Sequence, residues 1–230
     1  MNIVVMIPYW DEYEFPEEDL ANRDDLRVAG YTLIDRAIRV AQSINIVSDV
    51  VVYASSDKVL NLLKDPAICT FMKRDSNLDS QATSIEDIVE KFLQNSDADI
   101  IVLMHPRCPF IKQKTISECI DKVANKTVES SFVGSSHRKL AWFQNKPLNY
   151  SLKSGKNTPN LSSIEPVIIE SSAIYVFTRK LFEKTRRRVC DNPFIQITGP
   201  FEGFEVNTVA DFEIAELIVN AGLDAGDIFS

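Results

Sequence analysis

Asp99-Ile100-Ile101-Val102-Leu103-Met104-His105-Pro106-Arg107-Cys108-Pro109 is the stretch on which the fold turns. Ile100 to Met104 is unbroken by any polar residue, the pattern of a strand covered on both faces in a parallel sheet. The run then gives way to His105, Pro106 and Arg107, so polar side chains gather at the strand's carboxyl end. Working outward, Ile3 to Ile7 and Val50 to Tyr53 repeat the pattern. Helical spacing fills the intervals. Leu33, Ile34, Ala37, Ile38 and Ala41 share one face, and Ile85, Ile88, Val89 and Phe92 share another, opened by a Thr83-x-x-Glu86 capping box. A Thr115-x-x-Glu118 box is expected to open the helix carrying Ile116, Ile120 and Val123. Alternating strand and helix predicts βαβ units with ligands at the carboxyl ends of the strands.

After Asn125 the rhythm changes. Ser130 to Ser135 and Ala173 to Phe177 read as antiparallel or irregular strands, and Lys153 to Ser163, rich in Ser, Asn, Lys, Gly and Pro, reads as a loop. Phe204 to Val206 predicts a short strand, followed by a helix capped by Thr208-x-x-Asp211. The expectation is a single α/β domain over 1–230 with an inserted arm at about 134–169.

The 230 residues, 45% of them hydrophobic, suffice for one full core. A formal charge of −8 argues against nucleic acid, whose phosphates demand Lys and Arg, and favours a small-molecule partner. No window is long and apolar enough for a membrane span, and Ile3 to Ile7 is too short for a signal-peptide core, so a cytoplasmic location is expected. Cys69, Cys108, Cys119 and Cys190 form no C-x-x-C pair, and reduced thiols follow. Acidic residues crowd the segment between Tyr9 and Asp25, opposed there by Arg23.

Taken in order, these features resemble the acylneuraminate and deoxyoctulosonate cytidylyltransferase family from about Ile3 to about Ala221. The carriers are Ile7-Pro8, Gly30-Tyr31-Thr32-Leu33-Ile34, Ala54-Ser55-Ser56-Asp57, Lys73-Arg74 with Ala82-Thr83-Ser84, the Asp99 to Pro109 stretch, Ala173-Ile174-Tyr175, and Glu205-Val206-Asn207-Thr208. The resemblance implies a Rossmann-like nucleotidyltransferase fold, a mostly parallel sheet flanked by helices, with a protruding dimerisation arm. It also implies transfer of CMP from CTP to an acidic sugar with magnesium (Mg2+), for cell-surface glycan synthesis, by a homodimer. Where the family carries a basic, Gly-containing phosphate loop, this chain reads YWDEYEFPEEDLANRD. That departure keeps two alternatives open: a non-catalytic nucleotide- or sugar-binding relative, and a nucleotidyltransferase with a different base or a cationic acceptor.

Carried over residue by residue, the resemblance assigns nucleotide contacts to Pro8, Tyr9, Arg27, Arg74, Ala82 and Ser84. Arg74 reads equally as a partner of Asp75 or Asp79, and Ser84 as a helix cap. Arg23, Arg107 and His105 are the candidate catalytic residues. Arg23 substitutes for lost phosphate-loop cations, Arg107 suits a carboxylate or phosphate, and His105 is either a base or a structural histidine. Glu205 and Asn207, two apart on the expected strand, point to one face and are the candidate magnesium ligands. Trp142 and Phe143 are either dimer anchors or core residues of the monomer.

Overall fold

Strand β1 (Ile3–Pro8) takes an interior position in the sheet because all of its residues are buried and both its faces need cover. In the computed structural model, which describes residues 1–10, 27–80, 82–152 and 159–223, β4 (Asp49–Ala54) and β6 (Ile100–Met104) flank it in parallel. β5 (Thr70–Lys73) continues the parallel side beyond β4. On the other side β10 (Val167–Thr178) runs antiparallel to β6 and to β7 (Ser130–His137), and β11 (Phe194–Ile197) lies parallel to β7. The order is β11-β7-β10-β6-β1-β4-β5. Two short hairpins, β2 (Arg27–Val28) with β3 (Tyr31–Thr32) and β8 (Trp142–Phe143) with β9 (Lys146–Pro147), lie outside this sheet.

Alternate strand residues face opposite layers, which is why the doubly covered runs contain no polar gaps. Val5, Ile7, Val50, Val52 and Val102 pack against α1 (Leu33–Gln42) and α3 (Gln113–Ala124). Val4, Met6, Val51, Ile101 and Leu103 face α2 (Ile85–Leu93) and α4 (Arg179–Thr185). Each such side chain, buried, stabilises the fold by roughly 1.5–3 kcal/mol, so a slip of one residue would forfeit both layers together. α5 (Val209–Asn220) closes a smaller cluster in which Phe212, Ala215 and Ile218 meet Val28, Phe110 and Val206. Among the described residues no helix is long and apolar enough to cross a membrane.

Several local expectations are corrected. α2 is capped one residue later than its sequence suggests, by a Ser84 and Asp87 box. Lys112 holds the N-cap position of α3 with no side-chain cap, and Thr115 lies buried inside the helix. Phe204 to Val206 joins no ladder; the Val206 N–H donates to the Arg107 carbonyl at 2.8 Å instead. The Thr208 and Asp211 box is present as expected. Beyond a bulge between Glu170 and Tyr175, Gly134 to His137 pair with Val167 to Glu170, where the sequence reading expects the arm to begin. Arg23, with the acidic segment around it, lies outside the described residues, as does 153–158 of the expected loop.

Candidate active site

β1, β4, β5 and β6 are mutually parallel and so present their carboxyl ends on one edge, and the chain order switches direction between β1 and β6. Ligands of such sheets sit in the crevice outside that point. Pro8 ends β1, and the Tyr9 N–H donates to the Tyr53 carbonyl at 3.1 Å. The floor of this crevice is built by Arg74, whose residue is 1% exposed. Its Nη1 donates to the Tyr53 carbonyl at 3.1 Å and its Nη2 to the Tyr9 carbonyl at 2.8 Å. Nε and Nη2 both reach Asp79 Oδ1, at 3.2 and 2.5 Å, and the guanidinium stacks 4.7 Å from the Trp10 ring centroid. Arg74 thus ties the ends of β1 and β4 together, and of the two readings open in the sequence the partnership with Asp79 is realised, in a buried setting.

Arg36, a residue that sequence reasoning missed, does the same on the other layer. It is buried, with Nε donating to the Pro109 carbonyl at 3.1 Å and Nη1 to the Val28 carbonyl at 3.2 Å. This joins the β2–β3 hairpin, which starts at exposed Arg27, to the loop after β6. Ser84 is committed to its cap: its hydroxyl donates to Asp87 Oδ2 at 2.7 Å and accepts from the Asp87 N–H at 3.1 Å. The exposed Ala82 N–H donates to Ser80 Oγ at 3.2 Å.

The loop after β6 carries the densest group of polar side chains. Arg107 Nη1 donates to Asn207 Oδ1 at 2.9 Å. Glu205 Oε1 accepts from Ser171 Oγ and from the Ser172 N–H, both at 2.9 Å, at the amino side of the antiparallel strand β10. Cys108 is buried beside Ser171, and burial first, then the Glu205 charge, push its thiol up to about 12. It is inert at neutral pH. Burial, reinforced by Arg188 and Arg107, lowers His105 to about 4. His105 is therefore neutral at pH 7, and so weak a base suits hydrogen bonding better than proton abstraction. Missed by sequence reasoning were Ser171, Tyr175 and Arg188. Tyr175 donates to Glu170 Oε2 at 2.9 Å, and the Arg188 guanidinium lies 4.3 Å from its ring centroid.

The residues proposed for magnesium fit it unequally. Glu205 supplies a carboxylate, which a hard cation accepts. Asn207 supplies a neutral carbonyl oxygen that already accepts from Arg107 Nη1, so a cation there would share that oxygen with a guanidinium. No cluster of three or more His, Cys, Asp or Glu able to hold a metal occurs among the described residues.

A profile of the family described as Cytidylyltransferase matches residues 26–153. No curated protein sequence matches the chain. Among solved structures, a CMP:2-keto-3-deoxy-manno-octonic acid synthetase complexed with CTP superposes with a TM-score of 0.68 at 14% identity, over 97% of this chain and 100% of that one. The 4-diphosphocytidyl-2C-methyl-D-erythritol synthase of Anaerococcus prevotii gives 0.62 at 11% identity, over 95% of this chain and 96% of that one. At these identities the likeness is one of fold, and it is the Rossmann-like nucleotidyltransferase arrangement of a mostly parallel sheet flanked by helices.

Proposed function

Because the chain belongs to the cytidylyltransferase family, whose profile covers residues 26–153, we propose that it transfers CMP from CTP to a hydroxyl of an acidic sugar of the sialic-acid or octulosonate kind. The observation that supports the reading is where the match falls: it spans the ends of β4, β5 and β6 and the residues Arg74, Ser84, His105 and Arg107 that the reading assigns to one site. The acceptor oxygen bonds to the α-phosphorus as the bond to the bridging oxygen breaks, pyrophosphate leaves, and the hydroxyl proton is released to water. Pro8 and Tyr9, positioned by Arg74, form the floor under the nucleotide. The N-terminus of α2, with Ala82 and Ser84, offers it a positive dipole end. Arg23 and Arg27 are assigned to the phosphates, and Arg107 with neutral His105 to the acceptor side. Glu205 is the protein carboxylate that would hold a magnesium ion bound to the triphosphate, and that ion would supply charge stabilisation on the phosphates. The arm at 134–169 is assigned to pairing with a second copy of the chain.

The test is calorimetric titration with CTP and magnesium, against UTP, ATP and GTP. Magnesium-dependent binding that prefers CTP is the expected result. Equal binding of all four, or binding of none, would sink the reading.

A further inference from the structure

We infer that Arg188 recognises the carboxylate of the acceptor; the inference rests on the reading above and specifies its substrate side. Arg188 follows α4 and lies across the face of Tyr175, 4.3 Å from the ring centroid. Tyr175 stands on β10 opposite Leu103 of β6, one residue short of the strand end that leads into His105. The ring is fixed in turn by its hydroxyl, which donates to Glu170 at 2.9 Å. A stacked guanidinium loses little rotational freedom on binding, and its edge presents parallel N–H groups that match a planar carboxylate.

The arginines around the crevice differ in what they hold. Arg36 and Arg74 donate to main-chain carbonyls, and Arg107 donates to Asn207. Arg188 makes no hydrogen bond among the described residues. Its nearest acid is Glu86, 3.9 Å from Nε, a distance that orients the side chain without saturating it. The side chain is 27% exposed, so it is open to solvent while its ring contact holds it in place. The charges of Arg188 and Arg107 both act on His105 and, with its burial, hold it neutral. An anion arriving there meets two cations.

Carboxylate is favoured over pyrophosphate by the neighbouring acids. Glu170 is hydrogen bonded to Tyr175 and the Glu205 charge acts on the same phenol. Two fixed negative charges oppose a multiply charged phosphate more strongly than a singly charged carboxylate.

The test compares the wild type with Arg188→Gln by calorimetry, using N-acetylneuraminate, 3-deoxy-octulosonate, the methyl ester of each, and pyrophosphate. Arg187→Gln, which changes an exposed arginine paired with Asp191, is the control and should leave every titration unchanged. The wild type should bind at least one acid well above its ester. Arg188→Gln should weaken that acid by about 10- to 100-fold, leave the ester and pyrophosphate within twofold, and keep the wild-type unfolding temperature. Arg188→Lys, which keeps the charge and loses the planar fork, should fall between. Unchanged acid binding in Arg188→Gln, loss of pyrophosphate instead, or a wild type that binds neither acid would overturn the assignment. Absence of CTP binding in the wild type fails the transferase reading separately, because the acids are titrated without nucleotide.

Discussion

His105 shows how much a single neighbourhood decides. Its pKa is lowered from 6.5 to about 4 by burial and then by Arg188 and Arg107. In the unfolded chain the ring takes a proton near 6.5. Between these values the unfolded chain binds the extra proton, so stability should be full above pH 6.5 and fall as pH drops toward 4. His105→Gln removes the effect: the loss of urea unfolding free energy between pH 7 and pH 5 should shrink by about 1–2 kcal/mol. An unchanged pH profile would mean that the ring takes its proton at the same pH in the folded and the unfolded chain. The sequence singles out His105 as either a base or a structural histidine, but the burial and the Arg188 neighbour that decide its charge were not legible there. Arg36 was missed altogether, and for Arg74 the sequence offered the Asp79 partnership but not the buried carbonyls it also holds. A sequence shows that a residue carries charge, but the carbonyls of Pro109, Val28, Tyr53 and Tyr9 that absorb these charges converge only when strands far apart in the chain pair.

Elements were legible in proportion to their burial. β1, β4 and β6 are buried on both faces and announce themselves as apolar runs. β5 and β11 are edge strands with mixed exposure and no such run, and α4 spans too few residues to show a period, so none of the three was anticipated. Cap register is a subtler case. Thr83-Ser84-Ile85-Glu86-Asp87 contains two overlapping box patterns, one residue apart. The choice falls to packing: with Ser84 as cap, Ile88, Val89 and Phe92 turn into the layer beneath α2. That register also leaves Glu86 facing Arg188, while Asp87 closes the box. Ser84→Ala should therefore cost about 1 kcal/mol of stability in thermal unfolding. Thr83→Ala, at the position expected from sequence, should cost well under half of that, and an equal cost would contradict the register.

Across the whole molecule, one antiparallel strand separates two kinds of surface. The parallel half ends in the crevice, while β10 and β7 continue their ladder as far as Val167 and His137, beside the segment proposed as an arm. Gly134 stands in that ladder because a Cβ there would lie 2.9 Å from the Ile169 carbonyl oxygen, closer than the paired strands tolerate. Past it the arm exposes what a monomer would bury. Trp142 is 56% exposed, Phe143 63% and Ile169 55%, so the reading of these aromatics as monomer core does not hold. Apolar side chains concentrated on one projecting element call for a cover, and the proposed cover is the same arm of a second copy, an arrangement in which one patch meets itself about a twofold axis. Sedimentation equilibrium should then give twice the mass of one chain. Replacing Trp142 and Phe143 together by Lys should give a monomer whose unfolding at low concentration is unchanged, since neither side chain belongs to the packed layers. A wild-type monomer, or a double variant that still dimerises, would show that this face of the arm is not where copies meet.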